Sequence, residues 1–368
     1  MTERGPGENS DSKPRRQEQE QATEEVTEVA PGVLRTQLPI DLPGLGHVNC
    51  YVMEDERGIA VVDPGLPGED GWQDLVDRIG RAGYEVRDIH TAIITHSHFD
   101  HFGGASRLRE ESGADILTHD SFSIFWNGQS IDDEDSASLE QATEEEQDAE
   151  IERLFHERLP WGTHRSRPPE DQIERFRKMG RFARSPIWTP EPTMRGIDSE
   201  TIRLARREWV ALHTPGHTHD HLCLYDPEHG VMFSGDHVLP TITPHIGGFS
   251  GSTDPLAEFF DSLRRMATFS DVGTVLPAHG HPFTDLTERS LDIIEHHEGR
   301  LDTIRQATAK VGTGNVTEYM RVLFNERAWG DMAESETFAH LEHLKELGEL
   351  DRSDPAGVAH YTASEVFL

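Results

Sequence analysis

The chain has 368 residues, 35% of them hydrophobic, and a formal net charge of −34 at pH 7. The length suits one large or two moderate domains; no run of about 18 apolar residues could span a bilayer, and so acidic a surface repels nucleic acid over most of its area. The two cysteines, Cys50 and Cys223, form no CxxC pair, so neither a disulfide framework nor a cysteine-rich zinc site is expected, and a cytoplasmic protein is the simplest reading.

Residues 1–32 are polar and acidic, lack the apolar core of a signal peptide, and read as a disordered tail. From residue 33 strand and helix signals alternate. GVLRTQLPI, HVNCYVMED and GIAVVD read as strands bounded by turn residues. Trp72, Leu75, Val76 and Ile79 recur at helical spacing. The β-branched run IHTAIITH is a buried strand, ASRLREESG a short helix, and ADILTHD another strand. Residues 121–198 break the pattern with a long charged, partly helical insert. Strands resume in TIRLARREWVALH, HLCLYD and GVMFSGD, then Asp254 and Pro255 open a helix. A strand, a long helix, two shorter helices and a hairpin complete the chain.

The stretch THSHFDHFGG gathers His96, His98, Asp100 and His101 within six positions directly after a buried strand. His-x-His places two imidazoles on one side of an extended segment, because side chains alternate there. Asp100 and His101 fall where the chain turns into a helix, free to face a second centre. Gly103 and Gly104 are expected to permit a tight turn. Asp63 in VVDPG, His217 in HTPGHTHDH, Asp236 in SGDH and His279 in PAHGH each follow an apolar strand and a turn in the same way. Five strand ends presenting His or Asp at one edge suit a dinuclear metal site. Imidazole and carboxylate donors suit zinc, with iron and manganese as the other candidates. Two metals sharing one hydroxide would need no serine or cysteine nucleophile.

These motifs, with THxHxDH read as Thr95 to His101, resemble the metallo-β-lactamase superfamily over residues 33 to about 285. The resemblance implies an α/β fold, an αββα sandwich. It implies that His96, His98 and His217 hold one metal and that Asp100, His101 and His279 hold the other. Asp236 would bridge the two, with Asp100 and Asp236 as the catalytic carboxylates, and Asp63 would orient a ligand. A bridging aspartate is similar to glyoxalase II, lactonases and RNA-processing nucleases. His213, His219, His221, His237 and His281 crowd the same loops; each is expected to be structural, with His221 the candidate to support a metal ligand.

Residues 286–368, with HHEGR and HLKELGEL, resemble the small winged-helix domain of one hydrolase branch of that superfamily. The helix in the recognition position carries Glu334, Glu336, Glu342 and Glu346 against Lys345 alone, so phosphate contact is not expected. Phe338, Leu341, Leu344 and Leu347 read as its core face, and the domain as structural or as a homo-oligomer contact. The insert is acidic in its first half and basic in its second, where Arg175, Arg177 and Arg181 could guide an anionic substrate. Trp126, Phe155, Trp161, Phe176 and Phe182 are candidates to line an apolar pocket. The expected activity is dinuclear hydrolysis of a small-molecule ester, thioester or lactone through a metal-bridging hydroxide, with no nucleic-acid or membrane partner. The alternatives are a metal-dependent ribonuclease or phosphodiesterase, and a mononuclear iron dioxygenase of sulfur compounds.

The charge generates a salt test. Only four of the 34 basic residues are lysines, a balance that fits a salt-adapted organism, a GC-rich genome or an ordinary acidic cytoplasmic protein equally. Screening shortens from roughly 10 Å at about 0.1 M salt to about 3 Å near 1 M, so added chloride should raise the melting temperature by relieving carboxylate repulsion. A melting temperature that stays flat up to about 2 M chloride would leave the acidity as a solubility device.

Overall fold

The computed structural model describes residues 16–42, 44–126, 129–130, 188–248 and 252–364, with scattered positions between 152 and 174. Its strands, in chain order, are β1 (Thr27–Ala30), β2 (Val33–Leu42), β3 (Leu45–Asp55), β4 (Gly58–Val62), β5 (Ile89–Ile93), β6 (Asp115–His119), β7 (Phe125–Trp126), β8 (Gln129–Ser130), β9 (Met194–Gly196), β10 (Thr201–Leu204), β11 (Arg207–His213), β12 (Leu222–Asp226), β13 (Val231–Gly235), β14 (Thr274–Pro277), β15 (Gly314–Asn315), β16 (Leu350–Ser353) and β17 (His360–Ala363). The helices are α1 (Glu69–Arg81), α2 (Phe99–Phe102), α3 (Ala105–Ser112), α4 (Pro255–Met266), α5 (Leu286–Val311), α6 (Val316–Leu323) and α7 (Asp331–Glu346).

Two sheets carry the structure, one ordered β1-β2-β3-β4-β5-β6-β9 and the other β10-β11-β12-β13-β14. Alternation along the strands decides how they stack. On β3, Tyr51 and Met53 face the core between the sheets, while Cys50 and Val52 face α1 and α3. On β12, Leu222 and Leu224 enter the same inter-sheet core, while Cys223 and Tyr225 pack outward against α4 and α5. Both sheets are therefore apolar on both faces and covered on both, which gives the expected four layers, αββα. β4, β5, β6 and β9 run parallel, as do β13 and β14, so the loops following these strands emerge on shared edges.

The helices form for local reasons. Asp254 caps α4, its carboxylate accepting from the Ala257 N–H at 3.0 Å, with Pro255 in the first turn. Leu256, Phe259, Phe260, Leu263 and Met266 give α4 a buried stripe at helical spacing. α5 buries Ile293, His297, Leu301 and Ile304 in the same manner. The core against which α4 and α5 pack runs on without a break into the C-terminal elements through Val316, Tyr319, Leu341, Leu344 and Tyr361. Those elements follow the order helix, strand, two helices and a hairpin, with β15, β17 and β16 in one sheet.

The structure corrects several expectations. The segment read as a disordered tail, residues 1–32, is folded from Gln17 onward, and residues 1–15 lie outside the described residues. β1 pairs with β2, and the buried Glu18 carboxylate accepts the N–H groups of Thr241 and Ile242 at 2.8 and 3.1 Å. That satisfaction of a buried charge is invisible in a polar segment read alone. The TIRLARREWVALH stretch forms a hairpin of β10 and β11. Leu347 does not join the core face of α7. The helix ends at Glu346, Gly348 turns at φ 74°, and Leu347 is left 53% exposed. Trp161 is buried, but it donates to Glu334 Oε2 at 2.9 Å and packs on Phe338, so it braces the C-terminal elements. Phe155, Phe176, Phe182 and the arginines 175, 177 and 181 lie outside the described residues, as do the surroundings of Trp126.

His340 on α7 supplies a pH test of this packing. Burial pushes its imidazole from 6.5 down to about 4, against the pull of Glu336. A base kept neutral in the folded chain but protonated in the unfolded one loses stability as pH falls through that interval. From pH 7 to 4 the unfolding free energy of His340→Gln should therefore fall by about 3 kcal/mol less than that of the wild type, at about 1.4 kcal/mol per pH unit. Parallel urea-unfolding curves for the two proteins would contradict the assignment.

Candidate metal centre

The residues singled out in the sequence converge at one edge of the sandwich. β5 ends just before Thr95, and the loop that follows carries His96 and His98 before α2 brings in Asp100 and His101. β11, β13 and β14 deliver His217, Asp236 and His279 from the second sheet. Gly103 and Gly104 serve differently than expected. Neither adopts a left-handed conformation, with φ of −59° and −84°. A Cβ on Gly103 would lie 2.0 Å from the Pro67 nitrogen, and one on Gly104 would lie 2.6 Å from the Pro64 oxygen. The glycines let the ligand-bearing turn press against the loop that follows Asp63.

His96 Nε2 lies 2.9 Å from His98 Nδ1, and His217 Nε2 lies 3.1 Å from the same atom. Asp236 Oδ2 is 3.6 Å from His217 Nε2. In the neighbouring group, Asp100 Oδ2 is 3.5 Å from both His101 Nε2 and His279 Nε2. Asp236 also reaches this group, with Oδ1 at 3.3 Å from His279 Nε2 and Oδ2 at 3.8 Å from His101 Nε2. His101 Nε2, His279 Nε2 and Asp236 Oδ1 are buried and have no hydrogen-bond partner. Buried polar atoms that converge with so few partners among themselves can take up a ligand. A cation is what imidazole nitrogens and carboxylate oxygens at these spacings fit, so the residues present suit the metals the donor set implies. His96, His101 and His279 are fully buried while His98 keeps an open edge, so the centre opens to solvent on the His98 side.

Electrostatics divides the two groups. Loss of water around the ring nitrogens, then the crowding of neighbouring imidazoles, drives His96 well below its ordinary range, which keeps it neutral as a ligand must be. Burial acts on His101 too, but Asp100, Asp63 and Asp236 outweigh it and carry the ring up to about 10. His279 is raised for the same kind of reason, with Asp236 the main partner against burial. His101 thus holds a proton that a metal must displace.

Three of the rings, and the backbone of Asp236, are held from behind. Asp63 accepts from the Thr95 N–H, the Thr95 hydroxyl and His101 Nδ1, all at 2.9 Å. It adopts φ 55°, a left-handed conformation that aspartate tolerates better than most residues. His101 Nδ1–H is thereby fixed as a donor and Nε2 left free for a ligand role. His279 Nδ1 donates to the His47 carbonyl at 2.6 Å, and His217 Nδ1 to the His245 carbonyl at 2.8 Å. His221 is buried, and its Nε2 accepts the Asp236 N–H at 3.1 Å while the ring stacks on His96. His213 donates to the His219 carbonyl at 2.8 Å and stacks on His119, as a structural residue would.

Sequence reasoning missed His47 and Asn49. With Tyr51 they occupy alternate positions on one face of β3 and bind the turn that carries His279. Asn49 Nδ2 donates to the Pro277 and Gly280 carbonyls at 2.8 and 2.9 Å, Tyr51 Oη donates to Pro277 at 2.7 Å, and His47 Nε2 accepts the Gly280 N–H at 3.0 Å. Polar residues at every second position of an otherwise apolar strand were the available signal. A third group, His297, Glu336 and His340, also comes together. Its members partly satisfy one another, although His297 Nε2 is also buried without a hydrogen-bond partner. His297 Nδ1 lies 3.0 Å from His340 Nε2, His340 Nδ1 donates to the Glu336 carbonyl at 2.7 Å, and Arg300 pairs with the Glu336 carboxylate.

Asp63 yields a test independent of metal. Asp63→Ala leaves three buried donors without an acceptor and should destabilise the metal-free protein by about 3–5 kcal/mol. A loss in urea unfolding no larger than that of a surface substitution, about 0.5 kcal/mol, would show that Asp63 does not organise the centre.

The chain is similar to several known proteins. A "Lactamase-like protein aptB" of Emericella nidulans is 32% identical over 108 residues, 29% of this chain and 32% of that protein. An "Atrochrysone carboxyl ACP thioesterase" of Aspergillus fumigatus is 32% identical over 131 residues, 33% of this chain and 29% of that protein. The chain thus spans about a third of the length of these curated relatives. A solved metallo-beta-lactamase family protein from Thermus thermophilus superposes with TM-score 0.71 at 27% identity, over 91% of this chain and 100% of that one. A beta-lactamase domain protein from Burkholderia ambifaria superposes with TM-score 0.70 at 24% identity, over 93% and 95% of the two chains, which supports the fold alone. The sequence model of the Metallo-beta-lactamase superfamily matches residues 43–279, the stretch that holds every one of these donors, and the chain belongs to that superfamily.

Proposed function

We propose that this superfamily hydrolase is dinuclear, binds two zinc ions, and cleaves thioesters. The observation that carries the reading is Asp236, whose two oxygens face both donor groups at 3.3–3.8 Å. His96, His98 and His217 would hold one ion, Asp100, His101 and His279 the other, and Asp236 both. When bound, such a pair lowers the pKa of a shared water and polarises the scissile carbonyl. The chain's own residues do the rest. Asp100, beside His101 and His279, takes the proton of the attacking water at its carboxylate. Water adds to the acyl carbon, the carbon–sulfur bond breaks, and the thiolate leaves as a thiol with the proton returned to it. Asp63, His47 and His221 keep the donors aimed while this happens. A cysteine nucleophile has no support, since both thiols are buried and burial pushes Cys223 up to about 12.

The choice of thioester within the acyl class rests on the relative named a thioesterase. The C-terminal elements, which we read as a winged helix, favour an acyl substrate over RNA. The acids of α7 are turned to internal use, with Glu334 on Trp161 and Thr317, Glu336 on Arg300, and Glu342 on Arg352 and Tyr361. Lys345 is paired with Glu342 and Glu346, so α7 offers no spare cation for a phosphate.

The test is a hydrolysis screen of acyl thioesters, lactones, a phosphodiester and short RNA on zinc-loaded protein. Thioester turnover should dominate and fall by about 10²–10⁴-fold in Asp100→Ala, the usual weight of a positioned proton acceptor. RNA cleavage faster than any acyl turnover, and lost in the same variant, would replace this reading with a nuclease.

A further inference from the structure

We propose that Ser335 and Glu336, on α7 of the C-terminal elements, are positioning residues for His217, acting through the loop at residues 245–248. The proposal rests on the reading of His217 as a metal ligand.

The chain of contacts begins at the ring. His217 Nδ1–H donates to the His245 carbonyl at 2.8 Å, which fixes the tautomer and turns Nε2 toward His98 and Asp236. The ring's aim therefore depends on where residue 245 sits. Yet residues 243–247 form neither helix nor strand, so no ladder of backbone hydrogen bonds holds that carbonyl in place. α7 holds it instead. The Gly248 N–H donates to Ser335 Oγ at 3.1 Å, and Ser335 is fully buried. His245 Nδ1 lies 3.7 Å from Glu336 Oε2, and Arg300 pairs with the other carboxylate oxygen. Ile246 between them is fully buried in the core that α7 shares.

The loop is pressed against the helix with no slack. A Cβ on Gly248 would lie 2.3 Å from the Phe338 ring, and one on Gly247 3.1 Å from Ser335 Oγ. Glu336 is a charged clamp at neutral pH. Burial would raise its carboxyl, but His245 and Arg300 hold it down at about 2.

The geometry makes the effect one-sided. His217 is the ligand tied to α7. The Asp100, His101 and His279 group is oriented instead by Asp63 and the His47 carbonyl, whose hydrogen bonds to it do not pass through the 245–248 loop. A loosened α7 clamp should therefore weaken one metal and spare the other, which a general loss of stability does not do.

The experiment is zinc binding by competition with a chromophoric chelator, on full-length protein, for wild type, Glu336→Gln and Ser335→Ala. The wild type should take up two zinc ions. Each variant should bind one of them on the order of tenfold more weakly, the lower end for loss of an outer partner of a ligand, with the other unchanged. Cobalt spectra should shift for the same single site. Ser335→Ala removes one hydroxyl and keeps the test open if Glu336→Gln fails to fold. Unchanged affinities in the variants, or equal weakening of both ions, overturn the proposal while leaving the metal reading standing. A wild type that binds no zinc overturns the metal reading and this proposal with it.

Discussion

The constraint on which this structure turns is the gathering of buried, unpartnered donor atoms at one sandwich edge. His101 Nε2, His279 Nε2 and Asp236 Oδ1 have no hydrogen-bond partner, although all three are buried. Leaving such groups without partners costs about 1–3 kcal/mol each, more when charged. Nothing in local propensity would arrange that, so the surrounding fold has to impose it. Strands from two sheets end at one edge, and a turn after each one holds a ligand-type residue. Three of the rings are fixed by a partner at the rear: Asp63 for His101, the His47 carbonyl for His279 and the His245 carbonyl for His217.

Those partners explain features that look unrelated to the centre. Asp63 keeps a left-handed backbone because three donors converge on its carboxylate. Gly103 and Gly104 are small because the ligand turn lies on Pro64, Leu66 and Pro67. β3 interrupts its apolar pattern at His47 and Asn49 because these bind the turn that carries His279. The C-terminal elements share a core with α4 and α5 and reach the loop behind His217, so the boundary expected near residue 285 is not a break in packing.

What was legible in the sequence was what has a period or a spacing. The strands before Asp63, His96 and Asp236 stood out as apolar runs. The αββα layering and the ligand set followed from the motif resemblance, and the structure brings all seven donors together in two adjoining groups. What was not legible depended on long-range partners. Glu18 reads as tail until Thr241 and Ile242, more than 220 residues away, are seen to donate to it. Trp161 reads as a pocket residue until Glu334 and Phe338 take it up. Leu347 continues a helical stripe on paper, but Gly348 ends the helix before the stripe reaches it.

The central claim is that both donor groups act together as one two-metal catalyst. The most direct measurement titrates zinc into metal-free protein while acyl-thioester turnover is followed. Activity should rise to a plateau at two equivalents per chain, and Asp236→Ala should reach a plateau near one equivalent with little turnover. Full activity at a single equivalent, unchanged by loss of Asp236, would contradict it.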